Sequence, residues 1–441
     1  MEKVTGLSQS QLGIYAECMQ HPGESVYDQP FLYSFSKEVD LLRLKEALCK
    51  ALDIHPGMLI GVTVDEEGVP RQIVNKELPE IPIIDIQDIE TIKSHLWEPF
   101  RFDGQSLLRI QLYRSPVSNY LFMQAHHLFF DGWTLTLYFH EVERIYQGEE
   151  TVGESFTLID YAMEEDRLRK SDRMEEDRLW YQQHILDTEV ETTLVPDRYG
   201  KEPSFRREII PLKTPVEQVA AFCKEYGVKV SNYMCAAYAL LMARFTDDEQ
   251  VLFATIWHGR DRQELANTTG MFVKTVPYYY QLKGDDTVED LLRQGNEMVE
   301  GTRKHALYSL GDAITEMGIH PKTLFCYQGT TLKDLTIGGH PATFRRLFNH
   351  ATYDPLSMQV FLTDTGYQLY VEYMDNLFSA ALIHQFVESF DVVLSEMLDT
   401  TRQLKDIVLT TPEQLQLLDG FNQTDVPYDD SQTIVSLFRR Q

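Results

Sequence analysis

Residues 119–147, NYLFMQAHHLFFDGWTLTLYFHEVERIYQ, constrain the fold of this 441-residue chain more than any other stretch, because an apolar strand pattern gives way within a few residues to a helix pattern. NYLFMQAHH reads as a strand. From Trp133 to Tyr146 the apolar residues Leu135, Leu137, Tyr138, Val142 and Ile145 recur at helical spacing, and Gly148 supplies the stop. SLLRIQLYRS, just upstream, reads as a second apolar strand, joined to the first by a turn near Pro116 to Asn119. Earlier still, Leu7–Met19 predicts a short helix with Ser8 as N-cap, QPFLYSFSKEV a strand, and LLRLKEALCKALDIHP a helix stopped before Pro56.

The same mixture returns in the second half. VSNYMCAAYALLMARF is apolar around its whole circumference, the mark of a buried helix, and VLFATIWHG reads as a buried strand after it. A single core stops growing near ~250 to 300 residues, so two α/β lobes are predicted. Between them, YAMEEDRLRKSDRMEEDRLWYQQHI carries dense mixed charge with few apolar residues, which predicts an exposed helix bridging the lobes. The boundary is placed there, with one lobe over residues 1–172 and the other over residues 173–420.

Composition narrows the partners. A formal net charge of −28 opposes a nucleic-acid backbone or an anionic membrane surface, so neither is expected. Five cysteines (Cys18, Cys49, Cys223, Cys235, Cys326) are odd in number and lack close pairing, which predicts reduced thiols in a cytoplasmic protein. No signal-like apolar region follows Met1, and no run of about 18 apolar residues suggests a membrane span.

Chemistry concentrates in QAHHLFFDGWTL. Neighbouring strand side chains point to opposite faces, so if the strand runs through both histidines, one faces a pocket and the other packs. Asp131 and Gly132 fall in a tight turn before the helix, where glycine permits positive φ and close approach of a substrate. The helix N-terminus offers free N–H groups that favour negative charge. A histidine beside such a terminus has the parts of an acyl-transfer site: a base for the nucleophile and donors for an oxyanion. Two core histidines with a turn aspartate would explain the residue types without chemistry. Metal binding would want converging ligands, yet adjacent strand residues diverge and no third ligand cluster stands out. Serine catalysis lacks its GxSxG elbow.

HHLFFDG resembles the HHxxxDG signature of condensation domains of nonribosomal peptide synthetases, within the chloramphenicol-acetyltransferase-like superfamily. Other stretches fall in that family's order. LSQSQLGIYAECM resembles its opening SxAQxR-type segment through Ser8, Gln11 and Tyr15, with Gly13 where arginine is usual. EPFRFDGQSLLRIQLY looks like the segment before the active-site strands. LIDYAMEE resembles the YxDYA segment through Asp160, Tyr161 and Ala162, and TTGMFVKTVP is similar to GxFVNT with Lys274 replacing asparagine. YDPLSMQVF, containing Tyr353 and Ser357, resembles the late channel-lining segment. The family's RHExLR segment should lie near IHPGML, where only His55 matches and both arginines are missing, so Arg260 in WHGRDR is the candidate partner of Asp131. The C-terminal PEQLQLLDGFNQTDVPYDDSQTIVSLFRRQ looks like an exit linker. Residues 421–441 are therefore expected to be linker and the start of a truncated adenylation domain.

The resemblance implies two chloramphenicol-acetyltransferase-like lobes forming a V-shaped pseudo-dimer around a central substrate channel, in a monomer. It implies an acyltransferase in which the amine of a carrier-bound aminoacyl acceptor attacks a donor acyl or peptidyl thioester. Phosphopantetheine arms would be supplied by peptidyl or acyl carrier domains, with no tightly bound cofactor and no metal. His127 would face the channel as proton acceptor or as the group positioning the amine. His126 would be structural, Asp131 would hold the turn, and the Gly132 N–H could face the oxyanion. Trp133, Arg260, Tyr353 and Ser357 would line the substrate site. Carrier docking is expected on two basic clusters, FRRE at Phe205–Glu208 and FRRLF at Phe344–Phe348. The short lead before Leu7 favours a starter-type domain, which takes a fatty or other acyl group from coenzyme A or a carrier. Two competing classes share the motif: a free-standing coenzyme A-dependent acyltransferase, against which the linker-like C-terminus speaks, and a non-catalytic carrier-docking platform, which an intact His127 disfavours.

Overall fold

The computed structural model describes residues 5–21, 23, 26–91, 98–330, 335–347, 354–425 and 432–441. Helix α1 (Gln9–Gln20) forms where its pattern predicts, and Ser8 caps it reciprocally: Gln11 N–H donates to Ser8 Oγ while Ser8 N–H donates to Gln11 Oε1. Strand β1 (Asp28–Phe35) leads to α2 (Leu41–Ile54), capped by Asp40 and ended at His55, next to Pro56. A short β2 (Ile83–Asp85) precedes the hairpin of β3 (Leu108–Arg114) and β4 (Asn119–His126). β4 lies between β1 and β3, antiparallel to both. That central place explains its apolar run: Leu121, Met123 and Ala125 enter the main core of this half, and Phe122 enters a small cluster on the opposite face. α3 (Gly132–Gln147) packs on α2, with Asp131 as N-cap and Gly148 closing it in the left-handed conformation at φ 84°.

The charged segment departs from the expected single exposed helix. It forms two, α4 (Leu158–Arg169) and α5 (Asp172–His184), and several of its charges turn inward. Arg169 makes a two-pronged pair with Asp312, both contacts at 2.8 Å. Asp177 is buried between Arg173 and His305. Glu165 is buried and accepts from Lys274 Nζ at 2.8 Å, from Gln9 N–H at 2.7 Å and from the Tyr161 hydroxyl at 3.2 Å. These partners at residues 312, 305 and 274 lie 143, 128 and 109 positions away, where no local pattern reveals them.

The second core forms around α6 (Val230–Thr246), buried from Asn232 to Ala243 as its all-round apolar character predicts. Its sheet is built from β5 (Phe205–Pro211), β6 (Gln250–Trp257), β7 (Lys274–Gln281) and β8 (Thr323–Gly329). The chain then adds β9 (Thr343–Arg346) antiparallel to β1, at the edge of the first sheet. It returns as β10 (Leu356–Thr363) and β11 (Gly366–Met374), giving the order β7-β6-β8-β10-β11-β5. α7 (Val288–Lys304) and α8 (Ala380–Glu396) pack against α6. Besides β9, Leu265, Met271, Phe272, Leu335 and Ile337 from beyond residue 172 belong to the first core, so a cut at that position misses two returning segments. The last helices, α9 (Pro412–Asn422) and α10 (Ile434–Arg440), bury no residue. Among the described residues, no helix is long and apolar enough to cross a membrane.

Lys274 tests how much this inward pairing holds. Burial opposes both charges, yet the mutual attraction prevails, keeping the Lys274 ammonium above its ordinary range and the Glu165 carboxyl below its own. Lys274→Ala strands the carboxylate and is expected to lower unfolding free energy by about 3–5 kcal/mol, measured by urea denaturation. A loss under ~1 kcal/mol would show that Glu165 is solvated after all.

Candidate active site

Strand β4 ends at His126, so a change of backbone, and not strand alternation alone, separates the two histidines. His126 stays in the ladder opposite Asp28. Its Nδ1 accepts from Leu128 N–H at 3.2 Å, which puts the ring proton on Nε2, 3.7 Å from Cys18 Sγ. Phe102 and Phe100 stand edge-on to the ring at 5.2 and 6.3 Å. Burial, then the neighbouring His127, pushes its pKa down to about 3. His126 is therefore a neutral ring that shapes the turn after β4.

His127 occupies that turn. Its backbone N–H donates to Tyr27 O at 2.8 Å, and its ring stacks on Phe130 at 5.2 Å and 19°. Nδ1 is buried without a hydrogen-bond partner, while the side chain as a whole is partly exposed, so Nε2 is the nitrogen turned to open space. Burial lowers the pKa first; its own nearby carbonyl pulls it back, Arg346 lowers it again, and Asp131 and the Phe130 carbonyl raise it a little. The net position is below the ordinary 6.5, which leaves a neutral imidazole at pH 7 that can accept a proton.

Asp131 works beside this ring. It accepts from Thr134 N–H at 2.8 Å and Phe272 N–H at 3.2 Å, and both its oxygens accept from Arg260 Nη2, at 3.0 and 3.1 Å. The structure thus pairs Arg260 with Asp131. Arg260 Nη1 donates to Leu265 O and Thr268 O, both at 2.6 Å, and its guanidinium lies over the Phe272 ring at 4.4 Å. With side chains only 4% and 1% exposed, the pair stands behind the site, so Arg260 braces a loop and does not line a substrate surface.

Gly132 also differs from expectation. It is the first residue of α3 and is not in the positive-φ region; the chain is redirected by Asp131, extended at φ −128° and ψ 177°. Trp133 is half-exposed and donates its indole N–H to Ala266 O at 2.9 Å, bracing the same loop as Arg260. Ser357 is buried on β10, directly across from Glu372 of β11. Tyr353 lies outside the described residues.

The two basic clusters are not free docking patches. Strand alternation sends neighbouring arginines to opposite faces: Arg206 pairs with Asp375 at 2.7 Å and Arg207 with Glu372 at 2.5 Å, while Arg345 meets Glu90 at 3.5 Å and Arg346 points inward. Phe348 lies outside the described residues. Tyr27 and Phe130 were not singled out from the sequence, and Arg346 only as part of a docking patch, not as a neighbour of His127; Phe130, inside the motif, was the one with a readable signal. Among the described residues, no three His, Cys, Asp or Glu side chains converge as metal ligands.

The Condensation domain model matches residues 1–418. The chain belongs to the condensation-domain family. Condensation domains are the amide-bond-forming acyltransferases of nonribosomal peptide synthetases. Among relatives of this condensation domain, gramicidin S synthase 2 of Aneurinibacillus migulanus is 22% identical over 436 residues, covering 95% of this chain and 10% of the relative. Tyrocidine synthase 3 of Brevibacillus parabrevis is 24% identical over 441 residues, covering 94% and 7%. The condensation domain thus spans a tenth or less of the length of these curated relatives. The solved first condensation domain of the calcium-dependent antibiotic synthetase, in complex with a substrate analogue, shares the fold at a TM-score of 0.77 and 17% identity, over 92% of this chain and 99% of that one. The starter condensation domain of rhizomide synthetase in complex with C8-CoA does so at 0.77 and 16%, over 92% and 97%.

The ion pair behind the site predicts non-additive damage. Asp131→Ala and Arg260→Ala each strand a buried charge and are expected to cost about 3–5 kcal/mol, whereas the double variant loses well under the sum. Urea unfolding of the four proteins measures this. Additive losses would mean that the two side chains do not act on each other.

Proposed function

We propose that this condensation domain joins a donor acyl or peptidyl thioester to the amine of a carrier-bound aminoacyl acceptor. The observation that carries the reading is the neutral His127 ring, with one nitrogen free, held in the turn that leads to the Asp131–Arg260 pair. The acceptor amine attacks the thioester carbonyl and a C–N bond forms. The C–S bond then breaks, and the amine proton, taken up or steered by His127 Nε2, passes to the departing thiolate. The Gly132 N–H, at the N-terminus of α3, is the oxyanion donor in this scheme.

Substrates would reach a channel between two lobes in a V on phosphopantetheine arms of peptidyl or acyl carrier domains, and no tightly held cofactor takes part. The domain would act as a monomer in the cytosol, where its free cysteines stay reduced, with an adenylation domain beginning within residues 421–441. A starter-type role, with the donor acyl group on coenzyme A, is a finer form of the reading, and the fold shared with a starter domain solved with C8-CoA supports it. Loaded carriers against acyl-CoA alone separate it from a free-standing acyltransferase, and any turnover excludes a mere docking platform.

His127→Ala is expected to slow single-turnover condensation by about 10²–10⁴ while thermal unfolding stays near wild type. A folded variant with wild-type turnover would remove the base from the scheme. Since protonation disables the ring and its pKa is lowered, the wild-type rate should rise with pH through a limb centred below 6.5 and then level. A limb centred above 6.5 contradicts the neutral ring.

A further inference from the structure

Strand register assembles a charged row between the two sheets. Ser357, Glu372 and Arg207 are direct partners on β10, β11 and β5. They alternate with Met358, Val371 and other residues of the second core, so they stand on the face turned away from α6 and α8. On the first sheet Arg346 pairs with Phe31 and shares a face with Phe344, whose ring packs on Phe31 and Tyr33. Phe31 packs in turn on Phe130, the ring stacked on His127. Arg346 therefore lies on the His127 side of the first sheet and reaches the charged row of the second.

One carboxylate serves two guanidinium groups there. Glu372 Oε1 accepts from Arg207 Nε at 2.7 Å and Nη2 at 2.5 Å. Arg346 Nη1 stands 3.9 Å from that same oxygen. Among the described residues the Arg346 guanidinium makes no hydrogen bond, although such a group carries five N–H donors, and its side chain is only 23% exposed. Among the described residues, two guanidinium groups face this one carboxylate, and the Arg346 group, partly buried, keeps a planar fork suited to a further carboxylate.

We infer that Arg346 binds a carboxylate borne by one of the two substrates, so that the domain selects an acidic aminoacyl acceptor or a dicarboxylic acyl donor. This rests on the amide-forming reading above. A neutral carbonyl would make weaker hydrogen bonds with the fork, which favours a full anion. A guanidinium fork also takes phosphate, so the small-molecule probes are built on pantetheine, which carries none, and the acid and neutral members of each pair differ only at the carboxyl group.

Two matched pairs test it. Aspartyl- and asparaginyl-loaded carriers are compared as acceptors with one neutral donor, and glutaryl-pantetheine and its methyl ester as donors with one neutral acceptor. In wild type the acidic member of one pair should be preferred by about tenfold or more, and the Arg346→Gln variant should reduce that ratio to about twofold or less. Arg346→Lys should keep part of the preference, because it keeps the charge and loses the fork. The pair that responds shows which substrate carries the acid. No preference in either pair, or a ratio that Arg346→Gln leaves unchanged, overturns the inference. Calorimetric binding of glutaryl-pantetheine, its ester, aspartyl-pantetheine and asparaginyl-pantetheine, with and without Arg346→Gln, reads the site even if no amide forms. In that case the functional reading fails while the binding ratios still decide the inference.

Discussion

The Asp131–Arg260 pair is the constraint on which the rest of the site depends. Taking two charges out of water is costly, and their attraction compensates only when further hydrogen bonds satisfy the remaining donors and acceptors. Here they are largely satisfied: Asp131 also accepts from two backbone N–H groups, and Arg260 donates to two carbonyls in the 265–268 loop. The surrounding backbone is shaped to enclose the pair. At Gly259, φ is +67° and an added Cβ would lie 2.0 Å from Phe272 O, so only glycine fits where the loop folds back on itself. A strand end, a helix start and a loop from 129 positions away are thereby held together.

That anchor gives two adjacent histidines unlike work. His126 continues the sheet, is closed in by aromatic rings and uses Nδ1 to hold the turn. His127, one residue on, is held by its backbone to Tyr27 and by its ring to Phe130, which leaves a nitrogen for chemistry. Position is decided by Asp131 and the turn, proton affinity by burial and by Arg346 from the edge strand. Both sheets therefore bear on one imidazole, since Arg346, on the edge strand of the first, also stands 3.9 Å from Glu372 of the second.

Much of this was legible in the chain because it is local. Ser8 and Gln11 spell a reciprocal cap, β4 and α3 follow from hydrophobic spacing, and the apolar circumference of Val230–Thr246 predicts its burial. The lack of arginines near His55 pointed to Arg260, by the resemblance and not by spacing. What escaped depends on distant register. Nothing in FRRLF says that β9 joins the first sheet, so Arg345 and Arg346 read as one surface patch although alternation separates them. Dense charge in α4 and α5 read as exposure because Lys274, His305 and Asp312 come from far along the chain. Gly132 read as a left-handed turn residue, whereas an extended Asp131 already turns the chain.

The division of labour between the two imidazoles is the central claim, and their ring nitrogens report on it directly. Nitrogen-15 NMR of the histidine-labelled domain, assigned with single-histidine variants, would follow both rings from acid to neutral pH. The account predicts that His126 remains neutral with its proton on Nε2 down to about pH 3, while His127 titrates at a pH below the ordinary 6.5. A His126 that titrates near 6.5, or a His127 still protonated at pH 7, would contradict it.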